Sequence, residues 1–514
     1  MVEARKRHCW ECLRRRLVCD FQAPGCNRCA GSGVDCPGYG ETPPIRVKWL
    51  APGKVKSRQR NGQRSGSSNR QKNSGASSGS VSSEISRGGL ESEAEKGSSH
   101  ESRGLAVPRF HLKTDHHALL DSVQYFNSCM YPQLASALRL GTNTNIYQLS
   151  PKVFQLGLTR PAHLQLGLIC LTVSHRINQT RHDPSSKALE KTFYRYRGLM
   201  IRSLNEDINI PNMRNGDVVL AGILTLLLAD AQHGISQHWR HHIEGVRRLI
   251  ILRGGMHNLS MSPGVLPILL SFVHCTVLAD TSSPASDMLV EGLDLTQLYS
   301  IVQRYGGNGY AFQTCPTPLF AEIIKINYIR NQMSRSDKKN LCNLQSNARE
   351  VLRRVYEFSP AAWIESNEFL TNESDLIVTA YQSAVALYCM SSLSSIGALP
   401  PDPLLKNNCD IERRILHGLL KKGLDHRSYG YLFWPLMVLG VHAVHGDYSL
   451  RSFVREKLIS MSAVSGTYAP LAAKEALEDF WGSGREKWDD CFKKTHMFTT
   501  VLTVNRGQLP RRTS

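Results

Sequence analysis

Acidic residues are in short supply in this 514-residue chain, where 43 Asp+Glu face 62 Lys+Arg and leave a formal net charge of +19. The deficit is sharpest at the start, since residues 1–105 hold 19 basic residues against 10 acidic ones. A polyanion is the natural partner of so basic a segment. Catalytic signatures are missing too: the chain has no HExxH, no GxxxxGK followed by Ser or Thr, and no GxSxG elbow at a strand-to-helix turn. Their absence argues against zinc proteases, P-loop NTPases and α/β-hydrolases, and no enzyme is expected. The opening MVEARKRHCWEC is charged and lacks an apolar run, so a secretory signal is not expected. Uninterrupted apolar stretches fall well short of the ~20 residues that span a bilayer, which predicts no membrane partner. Alternating strand patterns are scarce.

Cysteine, by contrast, is present in a pattern. Cys9, Cys12 and Cys19 read C-x2-C-x6-C, and adding 17 to each position gives Cys26, Cys29 and Cys36. A repeated trio of soft ligands asks for a repeated metal site. Two tetrahedral zincs need eight bonds, and six thiolates supply eight if two of them bridge. Two Zn2+ and six thiolates still carry two negative charges, and Arg14, Arg15 and Arg16 sit inside the first repeat. A single zinc on Cys9, Cys12, Cys26 and Cys29 would leave Cys19 and Cys36 idle at symmetry-related positions. A disulfide framework belongs to secreted proteins, and cysteines of a disordered tail would not repeat in register. The spacing therefore predicts one compact two-zinc cluster.

The stretch HCWECLRRRLVCDFQAPGCNRCAGSGVDCPGYG resembles the fungal zinc binuclear cluster (Zn2Cys6) DNA-binding domain. That resemblance implies that Cys9 and Cys26 are the bridging ligands, that Pro24 lies in the loop between repeats, and that Gly33 ends the second short helix. Three residues depart from the usual pattern. Leu13 and Val18 stand where basic residues are frequent, and Gly31 weakens the second helix; these changes bear on phosphate contacts and leave the ligands intact. The stretch Cys12–Cys19 is expected to be a short helix pinned at both ends by metal. Arginine forks pair bidentately with guanine O6 and N7, and the resemblance implies that Arg15 and Arg16 reach the bases of a CGG-type triplet. Arg14, Arg28 and the Arg5-Lys6-Arg7 run are expected on phosphates, where they add affinity without sequence information.

Beyond the cysteines, residues 37–60 are basic and proline-containing, and residues 61–105 hold 14 Ser and 8 Gly with no aromatic residue. Such a segment cannot bury enough apolar surface to offset its chain entropy and is expected to be disordered. The expected division is a Zn2Cys6 domain at 1–40, a basic then Ser/Gly-rich linker at 41–106, and an all-helical domain at 107–514. No sustained heptad pattern follows the cluster, which leaves binding as a monomer or as a homodimer through the helical domain.

Helical spacing of apolar residues predicts helices over Asp115–Tyr131, Pro161–Ile177, Ser185–Leu204, Asp217–Gln232, Gln237–Arg253, Pro318–Met333, Ser346–Phe358, Ser374–Leu393 and Phe433–His445. Asp217 reads as an N-cap and Gly254-Gly255 as a left-handed stop. WRHHIEGVRRLIILRGG, followed in order by YGGNGYAFQTCPTPLF, AYQSAVALY and FWPLMVLG, resembles the fungal-specific transcription factor domain over roughly Leu119–Gly440. Trp239, His242, Gly245, Leu249 and Arg253 recur at helical spacing and read as a packing face, with Gly245 allowing close approach. His116-His117 and His241-His242 are adjacent pairs that point in different directions on a helix and make poor metal sites.

The fold expected is a small two-zinc Zn2Cys6 module plus a large all-α regulatory domain, joined by a disordered linker. The function expected is a nuclear, sequence-specific DNA-binding transcription factor for RNA polymerase II genes. Its cofactors would be two Zn2+, and its partners double-stranded DNA with CGG-type triplets and the transcription machinery. The rival is a zinc-stabilised scaffold that binds protein partners without reading DNA.

Overall fold

A computed structural model describes residues 8–15, 17–39, 115–135, 148–181, 183–184, 186–214, 216–235, 239–262, 264–291, 293–306, 315–335, 341–366, 373–422 and 429–498. The expected linker lies outside these residues. Two compact units separate, one within Met1–Gly104 and one within Leu105–Ser514. Both are helical, and no strand occurs among the described residues.

In the larger unit two almost wholly buried helices form the centre. The first is Asp217–His233, and packed around it are Ala162–Gln179, Ser186–Asn209, Trp239–Leu252 and Leu266–Thr281. Its N-cap is Gly216, not Asp217 as expected. Asp217 is instead the first helical residue, and its carboxylate pairs with Arg253 at 2.7 Å. At the other end Gly234 takes φ +98°, and the Ile235 N–H reaches back to the Asp230 carbonyl at 2.8 Å. This left-handed stop satisfies the last carbonyls. A side chain at 234 would also strike the Tyr468 ring, 2.5 Å from its Cβ.

The second central helix is Ser374–Ser395, surrounded by Thr317–Arg335, Leu341–Glu357, Pro403–Lys421 and Phe433–His442. By length and composition it could cross a bilayer, yet 78% of its apolar window is buried within the unit. That is the environment of a core helix.

Every helix expected from the sequence is present, with shifted ends. Others were not foreseen, chiefly Leu266–Thr281, Leu295–Gly306, Pro403–Lys421, Tyr448–Ser465 and Ala469–Gly482. The Trp239 helix packs on the Asp217–His233 helix through most of the expected face: Trp239 is buried, Leu249 packs against the core and Arg253 pairs with Asp217. Its buried residues are Trp239, Ile243, Val246 and Ile250, while His242 lies 3.6 Å from Asp230 on one flank. Gly245 permits no close approach, because a Cβ there would meet nothing within 4 Å. Gly254 and Gly255 do adopt φ +87° each and end the helix as expected.

Around Leu266–Thr281 the core closes on a buried cation. Four carbonyls at a helix end lack partners, and here neighbouring side chains supply them. Arg330 is 0% exposed and donates to the Asp280 carbonyl at 2.9 Å, the Ser283 carbonyl at 2.8 Å and the Tyr388 hydroxyl at 3.0 Å. Its charge is met by Asp489 at 2.5 Å. Asn327 donates to the Val277 carbonyl at 2.9 Å, and the Trp488 indole to the Thr281 carbonyl at 3.0 Å. One guanidinium thus fastens three helices and the C-terminal segment together. Arg330→Met should destabilise the helical unit by about 3–5 kcal/mol, because it removes the charge that Asp489 pairs with and the donors to the Ser283 and Asp280 carbonyls. Urea unfolding followed by tryptophan fluorescence checks this; a loss near zero would mean water replaces the guanidinium.

Candidate metal centre and nucleic-acid interface

The N-terminal module is built from two short helices, Trp10–Arg15 and Asn27–Ala30. The sequence repeat recurs as a repeat of hydrogen bonds. Cys9 precedes the first helix, and its sulfur accepts the Cys12 N–H at 3.4 Å; Cys26 precedes the second and accepts the Cys29 N–H at 3.3 Å. Each sulfur therefore acts as a helix N-cap, where the dipole favours negative charge. Farther along, the Leu17 N–H bonds the Cys12 carbonyl at 2.9 Å and the Val34 N–H bonds the Cys29 carbonyl at 3.1 Å. These are again equivalent positions 17 residues apart. Gly33, at φ +63°, makes the second stop possible, as expected.

The first helix departs from its expected span. It begins at Trp10 and ends at Arg15 instead of running from Cys12 to Cys19. Capping by the Cys9 sulfur starts it early, and the bond from Leu17 back to Cys12 closes it.

All six sulfurs converge. Cys9, Cys12, Cys19 and Cys26 form one quartet, Cys9, Cys26, Cys29 and Cys36 a second, and the sulfurs of each lie within 4.8 Å of one another. The quartets share Cys9 and Cys26. Sulfur separations are 3.5 Å for Cys9–Cys26, 3.6 Å for Cys12–Cys26 and 3.8 Å for Cys9–Cys29. Zn–S bonds of ~2.3 Å at tetrahedral angles would place two ligands of one zinc ~3.8 Å apart, so the residues present fit zinc. Among the described residues no other cluster of His, Cys, Asp or Glu could hold a metal.

Electrostatics agree. Burial pushes the Cys9, Cys12 and Cys29 thiols up. At Cys19 the same burial is outweighed by the Cys9 N–H and the Tyr39 hydroxyl, which bring the thiol down to about 6. Six adjacent sulfurs cannot all ionise unless cations share the charge.

Residues not singled out from the sequence support the cluster. Phe21 adopts φ +60°, costly for an aromatic residue, and packs on the sulfurs with its ring 5.1 Å from that of His8. The His8 Nδ1 accepts the Cys19 N–H at 3.1 Å. Tyr39 donates to the Gln22 carbonyl at 2.9 Å and stands 3.5 Å from the Cys19 sulfur. Asp20 accepts the Asn27 N–H at 2.9 Å. Only their nearness to cysteines could have flagged them.

Of the arginines, Arg15 is exposed at the end of the first helix. Arg28 is exposed on the second, its Nε donating to the Val18 carbonyl at 3.4 Å. The Arg14 side chain and the whole of Arg16 lie outside the described residues.

Comparison with known proteins places this geometry. The family model described as "Fungal specific transcription factor domain" matches residues 142–501, most of the chain. The chain belongs to the fungal-specific transcription factor family. The model of the "Fungal Zn(2)-Cys(6) binuclear cluster domain" matches residues 7–44. A relative from Leptosphaeria maculans, the "Phomenoic acid biosynthesis cluster-specific transcriptional regulator", is 34% identical, the match covering 98% of this chain and 91% of the relative. No solved structure matches significantly. The protein is a DNA-binding transcription factor with a zinc-binding N-terminal module.

Gly33→Ala, forced into the left-handed region, should cost about 1–2 kcal/mol locally. Hydrogen exchange at the Val34 amide should then accelerate by about tenfold, and unchanged exchange would show that the stop holds without glycine.

Proposed function

We propose that this protein is a nuclear regulator that reads CGG-type triplets and controls a set of clustered biosynthetic genes transcribed by RNA polymerase II. The observation that carries the reading is the pair of sulfur quartets sharing Cys9 and Cys26, with an exposed arginine on the helix they hold. In this arrangement Cys9 and Cys26 would be shared by two Zn2+. Cys12 and Cys19 complete one site, and Cys29 and Cys36 the other. Zinc supplies the cross-link that so small a module lacks in apolar core, so metal binding and folding are one event. The metal neutralises thiolates and does no chemistry on a substrate, so the protein acts by binding and not as an enzyme.

The two helices are related by the repeat but are not equivalent in use. Positions 14, 15 and 16 are arginine, whereas their counterparts 31, 32 and 33 are Gly, Ser and Gly. Only the first helix can read bases. Arg15 and Arg16 contact guanines, while Arg14 and Arg28 hold phosphates. The gene-cluster role rests on the Leptosphaeria relative, whose match extends through the helical unit as well as the zinc module. A single module makes few contacts, so pairing of two chains through the helical domain would raise affinity and present one surface to the transcription machinery.

Metal analysis of the purified protein should give two zincs per chain, and Cys26→Ala should lower the content of both sites at once. One zinc per chain, with Cys19→Ala and Cys36→Ala harmless, would defeat the bridged assignment.

On a CGG duplex, Arg15→Ala or Arg16→Ala should each cost about 1–3 kcal/mol and flatten discrimination between triplets. Arg28→Ala should weaken all sequences alike and reduce the salt slope by about 1. Equal losses on every sequence for all three would leave the arginines as phosphate contacts only, and salt-independent binding to no DNA at all would favour the scaffold.

A further inference from the structure

A cavity of 490 Å³ opens in the helical unit where three distant parts of the chain meet. They are residues Ala231, Gly234 and Ile235 with Trp239, the Ala469–Gly482 helix, and the segment Asp490–Phe498. Its volume falls within the ~300–1,000 Å³ range of small-molecule sites.

Its inner wall is apolar and largely aromatic: Trp239, Phe480, Met497 and Phe498 line it and are buried. On the facing helix Ala472 and Ala476 line the cavity with the smallest of side chains and leave its volume open. Charge sits at the mouth and nearly cancels. Three carboxylates, Glu475, Asp479 and Asp490, stand with Lys493 and Lys494. Glu475 accepts the Tyr468 hydroxyl at 2.6 Å, and Asp490 is met by Arg485 at 3.2 Å. Neither an anion nor a cation would gain much there. His496 also lines the space, its ring stacked on Phe498 with centroids 5.0 Å apart. Burial lowers the pKa of its imidazole, and the neutral ring offers one donor and one acceptor.

We infer that this cavity binds a small uncharged molecule with a flat apolar body and one or two hydrogen-bonding groups. The aromatic wall takes the body, and His496 meets a polar group. The same C-terminal segment is tied to the end of the Leu266–Thr281 helix, where the His496 N–H bonds the Ser282 carbonyl at 3.1 Å and the Ser282 hydroxyl bonds the His496 carbonyl at 3.0 Å. A ligand touching all three walls stabilises the packing of this segment through its own occupancy.

The test titrates zinc-loaded, full-length protein with Nile red, an uncharged planar dye that brightens in apolar surroundings. Saturable binding of one dye per chain is expected, with a raised Tm. Ala472→Phe and Ala476→Phe fill the cavity from its open side and should each weaken binding by about tenfold or more, with the dye-free Tm little changed. Should one variant disturb folding, the other decides. Unchanged affinity in the folded variant, or fluorescence that rises without saturating, overturns the site. Tighter binding of the anionic dye anilinonaphthalene sulfonate, abolished by the same variants, overturns the uncharged class while keeping the cavity. No DNA enters the measurement, so its failure is distinct from failure of the triplet reading.

Discussion

Burying a charge is tolerable only when a partner is buried with it, and both units of this protein are organised around that constraint. In the helical unit the charge is Arg330, fully enclosed and matched by Asp489, the Tyr388 hydroxyl and the carbonyls that end the Leu266–Thr281 helix. In the small module the charges are thiolates crowded to within 4.8 Å in two quartets that share Cys9 and Cys26. There the sulfur quartets are spaced to hold metal as the partner. Arginine closes one unit and zinc the other.

The module also shows how a symmetric scaffold serves an asymmetric task. The same capping and stop bonds occur twice, 17 residues apart, because the same thiols recur at the same spacing. What differs is the side chain each helix presents. A run of three arginines interrupts one repeat and a glycine-serine-glycine run the other. The same sulfur caps start both helices, while the arginine run belongs to one repeat only.

The helical unit was legible in part. Trp239–Leu252 and Leu341–Glu357 alternate buried and exposed positions at helical spacing and were read from the chain. Leu266–Thr281 is apolar all round, so no periodic contrast marks it, although the equally buried Asp217–His233 and Ser374–Ser395 were read from their length. Pro403–Lys421 carried a readable signal, Asp402 as cap with proline at the first turn, that went unread. The Trp239 motif was incomplete about its packing face: Trp239, Leu249 and Arg253 pack as read, Ile243, Val246 and Ile250 bury beside them, and Gly245 stays open.

By itself the sequence determined the metal chemistry, because ligand type and spacing are local properties that survive without any knowledge of the fold. It likewise determined the helical class of the large unit, since a period of 3.6 is written into each amphipathic segment. Tertiary structure alone decided which residues meet across long separations. Arg330 with Asp489, Asp217 with Arg253, and the cavity joining Ile235 and Trp239 to Phe480 and Phe498 depend on how helices cross. A crossing is set by the packing of many side chains at once, and no single stretch of chain encodes it.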